Sequence, residues 1–367
     1  MFFRKCFRNT ATPTNGGNSS LPSSSHNSIG DLILLKDLIW SPLSLLRNSD
    51  PHYLGSPTSV PRMARNETYA KDIIKAWKAD ANPDDKQLKR DDNSTFGSPF
   101  PYKGVGDAGD KEYAGYLVVP STVDVNNISE KLPVVMLFHT GAGPQDIFNR
   151  YIADKLAREK MFGSTGCIIF IADILSDSTG WTWGDRPKYR DERDSLNRVA
   201  ERDGQKCRWK MRDVVSGALS AVKSIAAADM DRIAAWGFCV GGQPVLELGR
   251  MQQRGVKGLI TFHGMFEGVA LPDKDALIIQ SGANTKRKVL ICNGKNDDFV
   301  TASDLDLATE TFERSGWKCR VLNFERAVHN FSNPRTEYDD AGFGYDENAS
   351  VKSWEAAIEL LKDVFEL

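Results

Sequence analysis

Trp236-Gly237-Phe238-Cys239-Val240-Gly241-Gly242 follows the short apolar run Arg232–Trp236 and precedes a stretch with helical character. A sharp strand-to-helix turn that presents a nucleophile leaves no room for bulk just before and just after it, and Gly237 and Gly241 flank Cys239 at those two positions. The pattern is G-x-C-x-G, a nucleophile elbow with cysteine where serine is more common. The elbow sets Cys239 near the N-terminus of the next helix, where unpaired N–H groups and the helix dipole favour the thiolate, the reactive form of the side chain. A lone cysteine behind a strand is ordinarily a small apolar packing residue. The two glycines and the strand-to-helix setting distinguish this one.

Working outward, short apolar runs rich in β-branched residues recur on both sides of the elbow. They are Tyr113–Val119, Val134–Phe138, Cys167–Ala172, Arg232–Trp236, Val256–Phe262, Val289–Cys292 and Cys319–Phe324. Helical patterns lie between them, most clearly over Asp146–Lys160, Trp209–Ala227, Ser303–Arg314 and Val351–Phe365. Strands separated by helices imply right-handed crossovers, so the expected fold class is α/β, with a mostly parallel central sheet and helices on both faces. The connection over residues 174–208 is too long for an ordinary strand-to-helix loop and is expected to form a lid and part of a substrate pocket.

An elbow of this kind requires an acid and then a histidine later in the chain, each in a loop after a strand. After Val289–Cys292 comes Asn293-Gly294-Lys295-Asn296-Asp297-Asp298, and Asp297 is preferred over Asp298 as the acid that orients an imidazole. After the last strand comes Ala327-Val328-His329-Asn330-Phe331, which offers His329 as general base. Of the five histidines, His26 and His52 lie in the N-terminal segment, while His139 and His263 sit at strand ends, where packed, hydrogen-bonded roles are expected. The backbone N–H of Val240 is aimed at a developing oxyanion, and the loop His139-Thr140-Gly141-Ala142-Gly143, through Thr140 or Gly141, is the source of a second donor.

The elbow, the strand end Phe262-His263-Gly264, the turn Gly294-Lys295-Asn296-Asp297 and the segment His329-Asn330-Phe331-Ser332-Asn333-Pro334 together resemble the dienelactone hydrolase family of the α/β-hydrolase superfamily, over about residues 105–367. The resemblance implies an α/β-hydrolase fold and a Cys239, Asp297, His329 triad. It also implies small lactone or ester substrates, no metal or organic cofactor, and a monomer or small homo-oligomer. Two positions depart from the family pattern. Thr140 stands where family members that act on dienelactone carry a glutamate, and Asn333 stands where they carry an arginine for the substrate carboxylate. Arg335 and Arg186 are candidates for the missing cation. A thioesterase, a cysteine peptidase, and a catalytically silent ligand-binding or redox-sensing protein are the competing readings.

Composition narrows the remainder. The 367 residues are 41% hydrophobic and 26% charged, as in ordinary globular proteins, with a formal net charge of −2 that provides no overall basic field for nucleic acid. The basic and aromatic residues Trp181, Trp183, Arg186, Arg190 and Trp209 are interspersed with Asp185, Asp191, Glu192 and Asp194, which argues against a nucleic-acid surface. The six cysteines show neither CxxC pairs nor zinc spacing, and no run is long and apolar enough for a membrane span. Residues 1–65 are a low-complexity extension rich in Ser and Asn, with Arg4, Lys5 and Arg8 and no acid before Asp31. That is the composition of an organelle transit peptide or of a solvated tail, leaving the cytoplasm or an organelle as the expected compartment. Residues 66–104 read as a short amphipathic helix over 68–80 and a charged linker, ahead of the hydrolase domain at 105–367.

Overall fold

A computed structural model describes residues 95–109, 111–126, 131–144, 146–159, 162, 166–175, 186–266, 286–334, 336 and 342–367. The expected N-terminal extension, the helix over 68–80 and residues 176–185 of the long connection lie outside the described residues.

In chain order the strands are β1 (Thr95–Pro99), β2 (Tyr102–Lys103), β3 (Glu112–Tyr113), β4 (Gly115–Pro120), β5 (Leu132–Phe138), β6 (Ile168–Ala172), β7 (Ala200–Arg202), β8 (Gln205–Cys207), β9 (Ala228–Phe238), β10 (Val256–Phe262), β11 (Lys288–Gly294) and β12 (Lys318–Phe324). The helices are α1 (Ile147–Ala157), α2 (Arg186–Asn197), α3 (Trp209–Lys223), α4 (Gly242–Met251), α5 (Ala302–Arg314) and α6 (Glu347–Phe365). Eight strands form the main sheet in the order β1-β4-β6-β5-β9-β10-β11-β12. β1 and β4 run antiparallel to their neighbours, and β6, β5, β9, β10, β11 and β12 are parallel to one another.

The burial pattern explains why the inner strands could be read. Every residue of β5 (LPVVMLF) and of β6 (IIFIA) is buried, because parallel strands are covered on both faces and appear as continuous apolar runs. Alternate residues, among them Val135, Leu137, Trp236, Phe238, Ile260 and Phe262, form one core with Phe148, Ile152 and Leu156 of α1 and Leu361, Val364 and Phe365 of α6. Phe238 and Phe262 stack there with ring centroids 4.8 Å apart. Leu259, of opposite parity, meets α4 at Gly249, where an added Cβ would lie 2.8 Å from Phe312 of α5, so α4 and α5 cover the other face. The helices are pinned at their starts. Thr301 and Asp304 form a reciprocal capping box on α5, and Asp346 Oδ1 accepts from Ala349 N at 2.8 Å on α6; such caps are worth about 1 kcal/mol each.

Two features differ from the expected pattern. The run Tyr113–Val119 does not form one strand. It breaks at Ala114, so that β3 pairs with β2 while β4 enters the main sheet. The cause is a close approach at Gly115, where a Cβ would sit 2.2 Å from the Phe100 carbonyl oxygen. β1 falls within the segment read as helix and linker, and its pairing from Thr95↔Pro120 to Pro99↔Tyr116 makes it a sheet edge ahead of residue 105. The described part of the long connection is α2 and the β7–β8 hairpin, whose turn residues Asp203 and Gly204 take φ of +55° and +75°. An Asp-Gly pair with both φ positive is the two-residue hairpin turn that matches strand twist, a signal present in the sequence.

Candidate active site

β9 delivers Cys239 into a left-handed conformation at φ +54°, and a single tight turn over Cys239–Gly241 leads directly into α4. The glycines are required by close packing. A Cβ on Gly237 would lie 2.2 Å from the Gly241 carbonyl oxygen, and one on Gly241 would lie 2.3 Å from the Phe138 carbonyl oxygen. The second contact presses the end of β5 against the elbow and brings the Thr140 loop beside it. That loop is closed by Thr140, whose Oγ1 accepts from Ala142 N at 3.1 Å and whose carbonyl accepts from Gly143 N at 3.0 Å. Cys239, Val240 and Thr140 are all buried.

Asp297 lies in the turn after β11, where its Oδ1 accepts from Phe299 N at 2.9 Å. Its Oδ2 is 2.8 Å from His329 Nδ1, and both residues are buried. Asp298 points outward and is exposed, so of the two candidate acids only Asp297 meets the imidazole. His329 follows β12 and is further held by a backbone ladder, its N–H donating to Gly342 O at 3.1 Å and its carbonyl accepting from Gly344 N at 3.1 Å.

Burial alone would lower the basicity of the His329 ring, but the Asp297 carboxylate and then the neighbouring charge of Cys239, together with the hydrogen bond to Asp297, raise it to about 10. The structure thus brings Asp297 and His329 into contact and sets Cys239 near enough for its charge to act on the ring. The proton balance has a definite sign. His329 binds its proton more tightly in the folded chain than in the unfolded one, so its contribution to stability is complete below 6.5 and is lost as pH rises through about 10. With Asp297→Asn, the His329 titration midpoint, followed by NMR, should fall from about 10 toward the ordinary imidazole value.

The other two described histidines are packed and hydrogen-bonded, as expected. His139 is fully buried, with Nε2 3.2 Å from Asp173 Oδ1 and 3.1 Å from Ile174 N. His263 has Nε2 2.8 Å from Ser332 Oγ. Three residues around the site were not singled out from the sequence. Met265 donates its backbone N–H to the Cys239 carbonyl at 2.8 Å and places Sδ 3.7 Å from Cys239 Sγ. Phe299 and Phe343 wall the His329 ring at centroid distances of 4.8 and 5.3 Å. Only the fold brings these together, and no local pattern announces them. Asn333 is buried in a turn, its N–H donating to Asn330 O at 3.1 Å, while the side chains of Arg186 and Arg335 lie outside the described residues. Among the described residues no group of three or more His, Cys, Asp or Glu side chains converges as a metal site, and no helix is long and apolar enough to cross a membrane.

A mostly parallel sheet, with a strand-to-helix elbow and a histidine–carboxylate pair following it in the chain, defines an α/β-hydrolase. The chain belongs to the dienelactone hydrolase family, whose sequence model matches residues 114–365, and it is a hydrolase of that family. It is 30% identical over 160 residues to the uncharacterized protein K02A2.1 of Caenorhabditis elegans, an alignment spanning 42% of this chain and 95% of that one. Among solved structures it is similar to m3DLH, with a TM-score of 0.58 and 23% identity over 74% of this chain and 99% of the other. A dienelactone hydrolase-like promiscuous phosphotriesterase from metagenomic libraries gives a TM-score of 0.54 with 22% identity, over 74% of this chain and 99% of that one. At these identities the two structures speak to the fold.

Proposed function

We propose that the protein hydrolyses small ester, lactone or thioester substrates through a Cys239–His329–Asp297 triad and an acyl-enzyme. The observation that carries this reading is the buried Asp297–His329 hydrogen bond set close to Cys239 at a nucleophile elbow. The Cys239 thiolate attacks the substrate carbonyl carbon while His329 holds the proton as imidazolium. The carbonyl oxygen takes the negative charge and is met by the Val240 N–H and by an N–H of the Thr140–Gly141 loop. Losing one donor of this type costs about 2.7–4 kcal/mol of barrier stabilisation. As the tetrahedral adduct collapses, the bond to the leaving oxygen or sulfur breaks and His329 protonates that atom. His329 then takes a proton from water, which attacks the thioester, and the departing thiolate regains its imidazolium partner as the acid is released. Asp297 keeps the ring in one tautomer and orientation and stabilises its charge. This chemistry calls on no metal or organic cofactor.

Supporting the substrate class are the family and the full burial of the His329–Asp297 pair, which shields the charge exchange from water. The test is a panel of short-chain p-nitrophenyl esters, small lactones, acyl thioesters and peptides. Turnover of the first three with none of the peptides supports the reading. Cleavage of peptides alone overturns it in favour of a peptidase, and binding without turnover overturns it in favour of a silent binder.

A further inference from the structure

His263 takes no part in the chemistry above, yet the fold holds it in a costly state beside the base. It follows β10 at φ +42°, a left-handed conformation that is strained for a side chain such as this and persists only where its surroundings fix it. The ring is fully buried, its centroid 5.1 Å from that of His329 with the planes at 68°. Its Nε2 is 2.8 Å from Ser332 Oγ, and Ser332 belongs to the loop that carries His329. Phe331 closes the far side in an edge contact with His263 at 5.4 Å. The His263–Ser332 bond therefore ties the end of β10 to the loop of the base, and the imidazole forms the third wall around His329 together with Phe299 and Phe343.

We propose that His263, anchored by Ser332, is a positioning residue that keeps the His329 ring turned between Asp297 and Cys239. The proposal rests on the triad reading above. Without the wall the His329 ring, bonded at Nδ1 to Asp297, could rotate about its side-chain bonds and carry Nε2 away from Cys239. Misplacement by about 1 Å at a reacting centre can cost about 10²-fold in rate. The same turn also holds the nucleophile, since Met265 donates to the Cys239 carbonyl, so the end of β10 fixes both reacting residues relative to each other. Burial first, and then the charge of His329, keep His263 well below ordinary imidazole basicity. It thus stands beside the imidazolium as a neutral ring and not as a second charge, which would repel it.

The test compares wild type with Ser332→Ala, His263→Ala and His263→Phe. It uses p-nitrophenyl acetate kinetics, NMR titration of His329 and denaturant unfolding. We expect Ser332→Ala and His263→Ala to lower kcat by about 10–100-fold with KM little changed, and to move the His329 midpoint down from about 10. His263→Phe, which restores the wall without the anchor, should recover part of the kcat lost in His263→Ala. Wild-type kcat and wild-type His329 titration in a folded Ser332→Ala would overturn the proposal, as would a loss of stability with both readouts unmoved. If wild type itself turns over no ester, the triad reading fails. The His329 titration still decides the positioning role, because it is read without substrate.

Discussion

Cys239→Ala and His329→Ala should each reduce kcat/KM for an activated ester by about 10⁴-fold or more, leaving only the residue of rate that oxyanion donors and binding supply. The double variant should be no slower than either single one, because nucleophile and base act as a unit and removing either forfeits the whole step. The structure supports so large a loss. The three residues are buried, and the imidazole is bonded at 2.8 Å to its carboxylate. Additive losses would mean that a second base serves Cys239.

The second large effect lies outside the chemistry. Glu247, on α4 just beyond the elbow, is fully buried and is met by three guanidinium groups. Its Oε1 accepts from Arg208 Nε at 2.8 Å and from Arg250 Nη1 at 2.9 Å, and its Oε2 accepts from Arg212 Nε at 2.9 Å. Glu247→Ala should destabilise the protein by about 3–5 kcal/mol in denaturant unfolding, since it leaves buried cations without their anion. Burial alone would raise the Glu247 carboxyl, but Arg208, Arg250 and Arg212 together hold it at about 2. A carboxylate held below its unfolded value of 4.5 contributes stability that is present above that pH and is lost as pH falls through about 2. Wild type should therefore lose stability over that acid window, and the variant should lose less there. Because Arg208 and Arg212 belong to the start of α3 and Glu247 to α4, the cluster also locks the helix that begins at the nucleophile turn. A Glu247→Ala change of under about 1 kcal/mol, the range of a surface pair, would contradict this account.

What could be read in the sequence follows from where local constraint is strict. The elbow tolerates only glycine at Gly237 and Gly241, as the contacts of 2.2 and 2.3 Å that a Cβ would make show, so the sequence records the turn directly. The inner strands are buried on both faces and appear as unbroken apolar runs, whereas β1 is an edge of five residues, TFGSP, with no apolar run to mark it. The break at Ala114 was hidden because the close approach of Phe100 to Gly115 is a tertiary event. The hairpin over Ala200–Cys207 carried its Asp203-Gly204 signal, but β7 and β8 are three residues each and mostly exposed, so no alternation accompanied it. Chain order pointed to Asp297 and His329. It could not show Met265, Phe299 and Phe343, whose positions around the site depend on how three different loops are folded against one another.

The most direct test of the central claim is the intact mass of the protein quenched during turnover of p-nitrophenyl acetate, followed by peptide mapping. The account predicts one acetyl group, on Cys239, that appears in wild type, accumulates when deacylation is slowed and is absent from Cys239→Ala. Steady turnover by wild type with the acetyl group on another residue, or with Cys239→Ala as active as wild type, would contradict it.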